Sequence, residues 1–351
     1  MADATHCASS RAKTPKRRND VNAPSDVARP REGLRPLISV VIPTYEPDRF
    51  LIETLESVLA QDLGPERMQI AIVDDGSTRV DVSSLLANIA PAQRIELHKH
   101  DERLGLAGNW NRAVEYANGE LVHILHQDDV VLPGFYDALL AGFRRSEHIG
   151  MAFCRHAFIN ERGDVERVSH KERWRAGVLP RWLRRISERQ RVQCPAAIVR
   201  RSVYRTLGGF RIDLPYTLDW EMWVRIASAY DVWYEPRVLA SYRRHAGAET
   251  ARLDAAGRTI SDMMAAVAAI AAHLPPSERR ELQHRAYRRL ARVHTKRAAK
   301  LIKKGSHDLA TLQLQGAREA LDRLPSDLAT RWARWKLARV VQRLGAPREL
   351  A

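Results

Sequence analysis

Two acidic doublets stand out in this chain of 351 residues. Asp74-Asp75 is followed by Gly76 and Ser77, and Asp128-Asp129 is preceded by His126 and Gln127. Adjacent carboxylates repel, and they sit together at low cost only where a cation or several donors neutralise them. A hard divalent ion such as Mg²⁺ or Mn²⁺, held by one or two carboxylates and completed by diphosphate oxygens, meets that need at Asp128-Asp129. Asp74-Asp75 leads into a tight turn and is better suited to accept hydrogen bonds from a nucleobase or ribose. Either doublet taken alone is equally a turn or a helix N-cap. The chemical reading depends on where the chain puts them.

Residues 37–42 (LISVVI) are a continuous β-branched run closed by Pro43, the pattern of a strand buried on both faces. Residues 69–73 (QIAIV) repeat the pattern and end in the first doublet. A shorter third strand covers 95–99, and a fourth, 121–125 (LVHIL), runs into the second doublet. Phe50, Leu51, Leu55, Val58, Leu59 and Leu63 share one stripe of a helix over 48–63. Another helix runs from about Ala107 to Asn118-Gly119, where glycine suits the left-handed position after a helix end. Strands alternating with helices through short loops predict an α/β fold, a mostly parallel sheet flanked by helices. Ligands of such sheets bind beyond the carboxyl ends of the strands, and three of those ends carry Pro43-Thr44-Tyr45-Glu46 and the two doublets.

The remaining chain divides by composition. Residues 1–36 are polar, with 8 basic and 4 acidic side chains, and read as a disordered basic tail. Residues 37–253 read as the α/β domain. Within them, 163–192 are polar and Arg-rich, an insertion with a short amphipathic helix that serves as a lid or simply as a surface helix. Residues 254–351 read as a basic all-α module with helices over 257–273, 277–304, 307–323 and 326–344, broken at Pro275-Pro276, Gly305 and Pro325. The stretch 287–325 resembles a tetratricopeptide-like hairpin and is equally explained by generic helix packing. The formal charge of +15 is concentrated at the end: residues 274–351 carry 19 basic and 7 acidic groups, whereas 37–273 carry 30 and 31.

The ordered segments VVIPTYEP (40–47), IVDDGST (72–78), RLGLAGNWNRAVEYANGELVHILHQDD (103–129), LGGF (207–210) and LDWEMWVRIA (218–227) resemble the family 2 glycosyltransferases of the nucleotide-sugar-binding, Rossmann-like GT-A fold. The resemblance spans about Ser39 to His245. It implies Thr44, Tyr45, Glu46, Asp74 and Asp75 as nucleotide contacts, with Arg103 and Asn111 nearby. Many members have Asp where this chain has His126, so the resemblance implies Asp129 as the metal ligand and Asp128 as a ribose or sugar contact. Asp219 matches the family's catalytic Asp and would take the acceptor hydroxyl's proton. Glu221 is its rival, but positions i and i+2 lie about 200° apart on a helix. Some GT-A enzymes use a late His as a further metal or diphosphate ligand, a position that His245 fits equally as a surface residue in a basic loop. Arg243 and Arg244 could clamp the diphosphate or be solvated.

The expected activity is inverting transfer from a nucleoside diphosphate sugar, most commonly uridine-linked by resemblance, to a hydroxyl of a glycan or lipid-linked acceptor in polysaccharide or cell-envelope glycan synthesis. Alternatives are a glycoside hydrolase using two carboxylates without nucleotide, and a non-catalytic basic scaffold with a decayed transferase domain. A nicotinamide-binding Rossmann site lacks its G-x-G-x-x-G, and a P-loop lacks G-x-x-x-x-G-K-[ST]. The longest apolar run, 263–272, is ten residues, about half of a membrane span, and the first residues lack the apolar stretch of a secretory signal. Cys7, Cys154 and Cys194 form no metal or disulfide spacing. These features lead to expectations of a cytoplasmic protein, no nucleic-acid partner, and peripheral attachment at the inner face of the membrane through the basic C-terminal helices.

Overall fold

The computed structural model describes residues 35–344 apart from 88 and 90–93, so the tail expected over 1–36 lies, but for its last two residues, outside the described residues. The strands are β1 (Ile38–Thr44), β2 (Met68–Asp74), β3 (Glu96–Lys99), β4 (Leu121–Ile124), β5 (Val130–Val131), β6 (Ile149–Ile159), β7 (Val165–Val168), β8 (Gly177–Val178), β9 (Ala197–Arg200) and β10 (Asp231–Arg243). The helices are α1 (Phe50–Leu59), α2 (Val82–Ala87), α3 (Gly105–Tyr116), α4 (Phe135–Phe143), α5 (Trp182–Ile186), α6 (Arg201–Leu207), α7 (Leu218–Ala229), α8 (Glu249–Ala255), α9 (Arg258–Ala271), α10 (Arg279–Lys303), α11 (His307–Asp322) and α12 (Leu328–Leu344).

The strands form one sheet in the order β3-β2-β1-β4-β9-β6-β10-β5, with β7 on β6 and β8 on β10. The first four are parallel, as their intervening helices require. The other half is mixed: β9 runs antiparallel to both β4 and β6, while β6 and β10 are parallel. Residues 38, 40 and 42 of β1 enter the core with α1 and α4, and Val41 enters the opposite core with Trp110 and Ala113 of α3. This two-sided burial is why β1 reads as an uninterrupted apolar run. Because β1 pairs with β2 on one side and β4 on the other, the connections diverge at its carboxyl end and leave a crevice there.

Gly119 answers a different need from the one its position after α3 suggests. Its φ is not positive; a Cβ there would lie 2.6 Å from the Ile38 carbonyl carbon and the Ser39 nitrogen. Its N–H donates to Ser39 Oγ at 2.7 Å, so glycine permits the close backbone approach that starts β4 beside β1.

The C-terminal helices share the larger core with the sheet: Met264, Val267 and Ile270 of α9 belong to the same apolar cluster as Met222, Trp223 and Ile226 of α7. The boundary expected between 253 and 254 falls inside α8, and the described residues form one compact unit. A polar contact adds to this packing. Asp262 of α9 accepts hydrogen bonds from Thr217 Oγ1 at 2.6 Å and from the Tyr216 N–H at 3.1 Å, bracing the turn into α7. Asp262→Ala leaves the buried Thr217 hydroxyl and the half-buried Tyr216 N–H without this acceptor and is expected to cost about 1–3 kcal/mol of stability. A melting temperature equal to wild type would contradict that role. Among the described residues no helix is long and apolar enough to cross a membrane.

Candidate functional site

The carboxyl ends of β1 and β2 are tied together by backbone. Thr44 O accepts the Asp75 N–H at 2.8 Å, and Tyr45 exchanges two hydrogen bonds with the Gln127 amide, N–H to Oε1 at 2.8 Å and Nε2–H to its carbonyl at 3.2 Å. Gln127 thereby locks the second acidic segment to the first strand end. Glu46 takes a left-handed conformation with φ of 42°. Its N–H donates to Ser77 Oγ at 2.8 Å, and its carboxylate receives the Thr78 and Arg79 N–H groups. The Thr78 N–H is the main reason its pKa lies below the ordinary value. Glu46 therefore fastens the Asp-Asp-Gly-Ser turn.

Asp74 Oδ1 accepts from Ser77 Oγ at 2.5 Å, and Asp75 accepts the Leu104 and Gly105 N–H groups at 2.6 and 2.9 Å, with Arg103 Nε 3.8 Å away. Burial raises the Asp75 pKa against those donors. The Arg103 guanidinium also lies 3.8 Å from the centre of the Tyr45 ring. Asn109 on α3 donates to Val73 O at 3.0 Å and Thr44 O at 3.3 Å. Around this strand end Asp74 Oδ2, Asn109 Oδ1 and His100 Nε2 are buried without a hydrogen-bond partner among the described residues. Buried polar atoms left unpaired cost free energy, and the three belong to residues at or bonded to the ends of β1 and β2. The structure does not bring Asn111 into this group. Its amide donates to Phe210 O at 3.0 Å and accepts the Phe210 N–H at 2.6 Å, a contact that needs Gly209, where a Cβ would run into Asn111 Oδ1. Asn109, two positions earlier on α3, occupies the place expected of Asn111.

The second doublet extends this crevice past β4. Asp129 is fully buried. Its Oδ1 accepts the Arg243 N–H at 2.8 Å, and its Oδ2 lies 2.9 Å from His126 Nδ1. Asp128 Oδ2 lies 2.8 Å from His245 Nε2. His126, Asp128 and Asp129 each offer a ligand atom, and all three atoms lie within 4.8 Å of one another. Burial, then the Asp128 charge, pushes the Asp129 pKa up to about 6. Burial opposes charging of His126, but its hydrogen bonds, including that to Asp129, outweigh this and raise its pKa well above the ordinary value. The group fits a hard divalent ion: two carboxylates in mutual repulsion, plus an imidazole that Mn²⁺ accepts. Asp128 thus falls within the possible metal-holding group, while His245 stands one contact outside it, bonded to Asp128. The Arg243 side chain is buried beneath the doublet, donating to Asp128 O at 2.9 Å and pairing with Glu53. Arg244 is exposed and pairs with Glu166 at 3.0 Å.

Asp219 lies in the first turn of α7, close enough to His126 for that charge to act on it. Its Oδ2 accepts from Gln190 Nε2 at 2.5 Å and its Oδ1 from the Trp220 N–H at 2.6 Å. Burial dominates and pushes its pKa up to about 7. Glu221 points away, buried between Arg225 at 2.7 Å and His273 at 3.0 Å. Arg225 spans the Leu207-Gly208-Gly209 turn through its carbonyls. Gln190 carried no signal in the sequence. It lies 29 residues before Asp219, at the end of the 163–192 insertion, whose α5 buries Trp182 and Ile186 in the core.

The Glycosyl transferase family 2 profile matches residues 39–208. An uncharacterized protein of Mycobacterium tuberculosis is 30% identical over 241 residues, 65% of this chain and 73% of its own length. An uncharacterized glycosyltransferase of Methanocaldococcus jannaschii is 26% identical over 211 residues, 60% of this chain and 71% of its own. Among solved structures, S. aureus TarS 1-349 in complex with UDP-GlcNAc aligns with a TM-score of 0.61 at 17% identity, covering 88% of this chain and 92% of that one. The mannosyltransferase PcManGT from Pyrobaculum calidifontis, in complex with GDP-Man and Mn2+, aligns with a TM-score of 0.53 at 20% identity, covering 88% and 81%. With its motifs on the strand ends of this sheet, the chain belongs to glycosyltransferase family 2.

Proposed function

We propose that this glycosyltransferase moves a sugar, with inversion, from a nucleoside diphosphate sugar to a hydroxyl of a glycan or lipid-linked acceptor, and that it depends on Mg²⁺ or Mn²⁺. The observation that carries the reading is the cluster of His126, Asp128 and Asp129, which can hold a cation, with Asp219 of α7, held by Gln190 and the Trp220 N–H, within reach of the His126 charge. The strand-end group of Thr44, Tyr45, Glu46, Asp74, Asp75 and Arg103 holds the nucleoside, with Asn109 and His100 bonded to the same strand ends. Asp129, Asp128 and His126 would hold the metal, and His245, 2.8 Å from Asp128 Oδ2, orients that carboxylate. A bound divalent ion would supply charge stabilisation for the leaving diphosphate. Asp219 accepts the acceptor's proton as the acceptor oxygen bonds to the anomeric carbon and the bond from that carbon to the diphosphate breaks. With one base and no nucleophilic carboxylate in the scheme, a single displacement inverts the anomeric centre.

Gln190 and the Trp220 N–H orient the Asp219 carboxylate so that one oxygen can receive the proton. A base with a pKa near the working pH combines a populated carboxylate with useful basicity. Because the carboxylate is the working form, kcat is expected to rise with pH through about 7 and level off above it. A rate independent of pH between 5.5 and 8.5 (about a unit and a half on each side) would remove Asp219 from the proton transfer. The reading itself is tested with a panel of uridine- and guanosine-linked sugars scored for donor hydrolysis with and without Mn²⁺. Hydrolysis of an unactivated glycoside without nucleotide or metal would replace it with the hydrolase alternative.

A further inference from the structure

The last helix of the described residues, α12, buries one side, and none of those residues covers the other. Thr330, Leu337, Val340 and Val341 are buried, while Leu328, Trp332 and Trp335 are 78%, 56% and 52% exposed. At about 100° per residue the three exposed groups lie within about 60° of one another, centred opposite Leu337. Arg331, Lys336 and Arg339 border or share that sector and are exposed. Lys336 Nζ sits 3.4 Å from the centre of the Trp332 ring, and the Arg339 guanidinium 4.9 Å from that of Trp335. The helix carries five basic residues and no acidic one, and the neighbouring α10 carries ten basic residues against Glu281 alone.

Two large indoles on a bare, strongly cationic face are not what a surface in contact with water alone requires. Indole rings partition to the boundary between lipid headgroups and acyl chains, and flanking Lys and Arg add attraction to anionic headgroups. We propose that this face of α12 lies flat on an anionic lipid bilayer, with Leu328, Trp332 and Trp335 seated below the headgroups and Arg331, Lys336 and Arg339 among them. A second copy is a poor occupant, because apposing two such faces brings like charges together. Nucleic-acid bases stacking on the indoles would compete with Lys336 and Arg339, which already cover those rings. The inference goes beyond the transfer reaction and does not rest on it, since binding is measured without donor or acceptor.

The test is co-sedimentation of the full chain with vesicles of phosphatidylglycerol and phosphatidylcholine in equal parts, and with vesicles of phosphatidylcholine alone. Binding to the first, weakened by salt, and little to the second is expected. Trp332→Ala with Trp335→Ala should weaken it by about tenfold or more, and Arg331→Glu, Lys336→Glu and Arg339→Glu together by on the order of a hundredfold. All these side chains are exposed, so both variants should melt like wild type and keep donor hydrolysis, separating this outcome from a failure of the transferase reading. Equal binding to both vesicle types, or binding that neither variant weakens, overturns the proposal. So does absence of binding to either vesicle type, whether or not these residues instead govern binding to duplex RNA or self-association.

Discussion

Asp219→Asn is expected to lower kcat by about 10²–10⁴-fold, the range a positioned general base supplies, while leaving the donor's KM and the metal requirement close to wild type. Gln190 Nε2 and the Trp220 N–H meet different oxygens of the carboxylate, and asparagine keeps an oxygen for only one of them, so an unchanged donor KM and metal requirement are what assign the loss to the proton acceptor. Stability should change little. The carboxyl's pKa rises from 3.8 to about 7 on folding because burial penalises its charged form. A group raised in this way favours the fold below its unfolded value and loses that contribution as pH rises through the folded one. Above about pH 7 the wild type therefore holds a charge the fold opposes; the neutral Asn variant is relieved of it but loses one of the two hydrogen bonds, and should melt within a few degrees of wild type. Full activity in this variant would move the base elsewhere. Glu221 is not available for the task, since its carboxylate is buried between Arg225 and His273.

The parallel half of the sheet was legible because burial on both faces produces unbroken apolar runs, and the doublets mark where those runs stop. The other half was not. β10 contains Pro236, which cannot donate to a ladder, and its pairing with β6 shifts register between Glu235 and Val238. The alternation expected of a long strand is broken at that point. β6 mixes Gly150, Cys154, Arg155 and His156 into its apolar residues and shows neither a clean run nor a clean alternation. The site divides in a similar way. Residues adjacent in sequence, such as Asp74-Asp75 and Asp128-Asp129, announce themselves, whereas Gln190 reaches Asp219 across the insertion and Asp262 braces the α7 turn from a later helix. The Asn109 and Asn111 pair shows the limit of resemblance: both lie on α3, about 200° apart, and only the packing against Phe210 decides which faces the strand ends.

Asp129 bears both on the fold and on the proposed metal, and two substitutions separate those duties. Asp129→Ala removes the acceptor of the buried Arg243 N–H and the carboxylate beside His126. It is expected to cost about 1–3 kcal/mol for the orphaned donor, offset in part because Asp128 no longer faces a like charge. Asp129→Asn keeps an oxygen for Arg243 but not the charge, and should melt within a few degrees of wild type. If the cluster holds the cation, both variants lose the Mn²⁺-dependent part of nucleotide binding and fall in activity by on the order of a thousandfold, several kcal/mol of diphosphate stabilisation. Calorimetric titration of nucleoside diphosphate with and without Mn²⁺ checks the first loss, and donor turnover checks the second. Asp128→Asn, which weakens the repulsion without removing the buried ligand, should have the smaller effect. An Asp129→Asn protein that folds normally and keeps metal-stimulated turnover would take the cation away from this cluster, and with it the reason for two carboxylates and a histidine to be crowded at the end of β4.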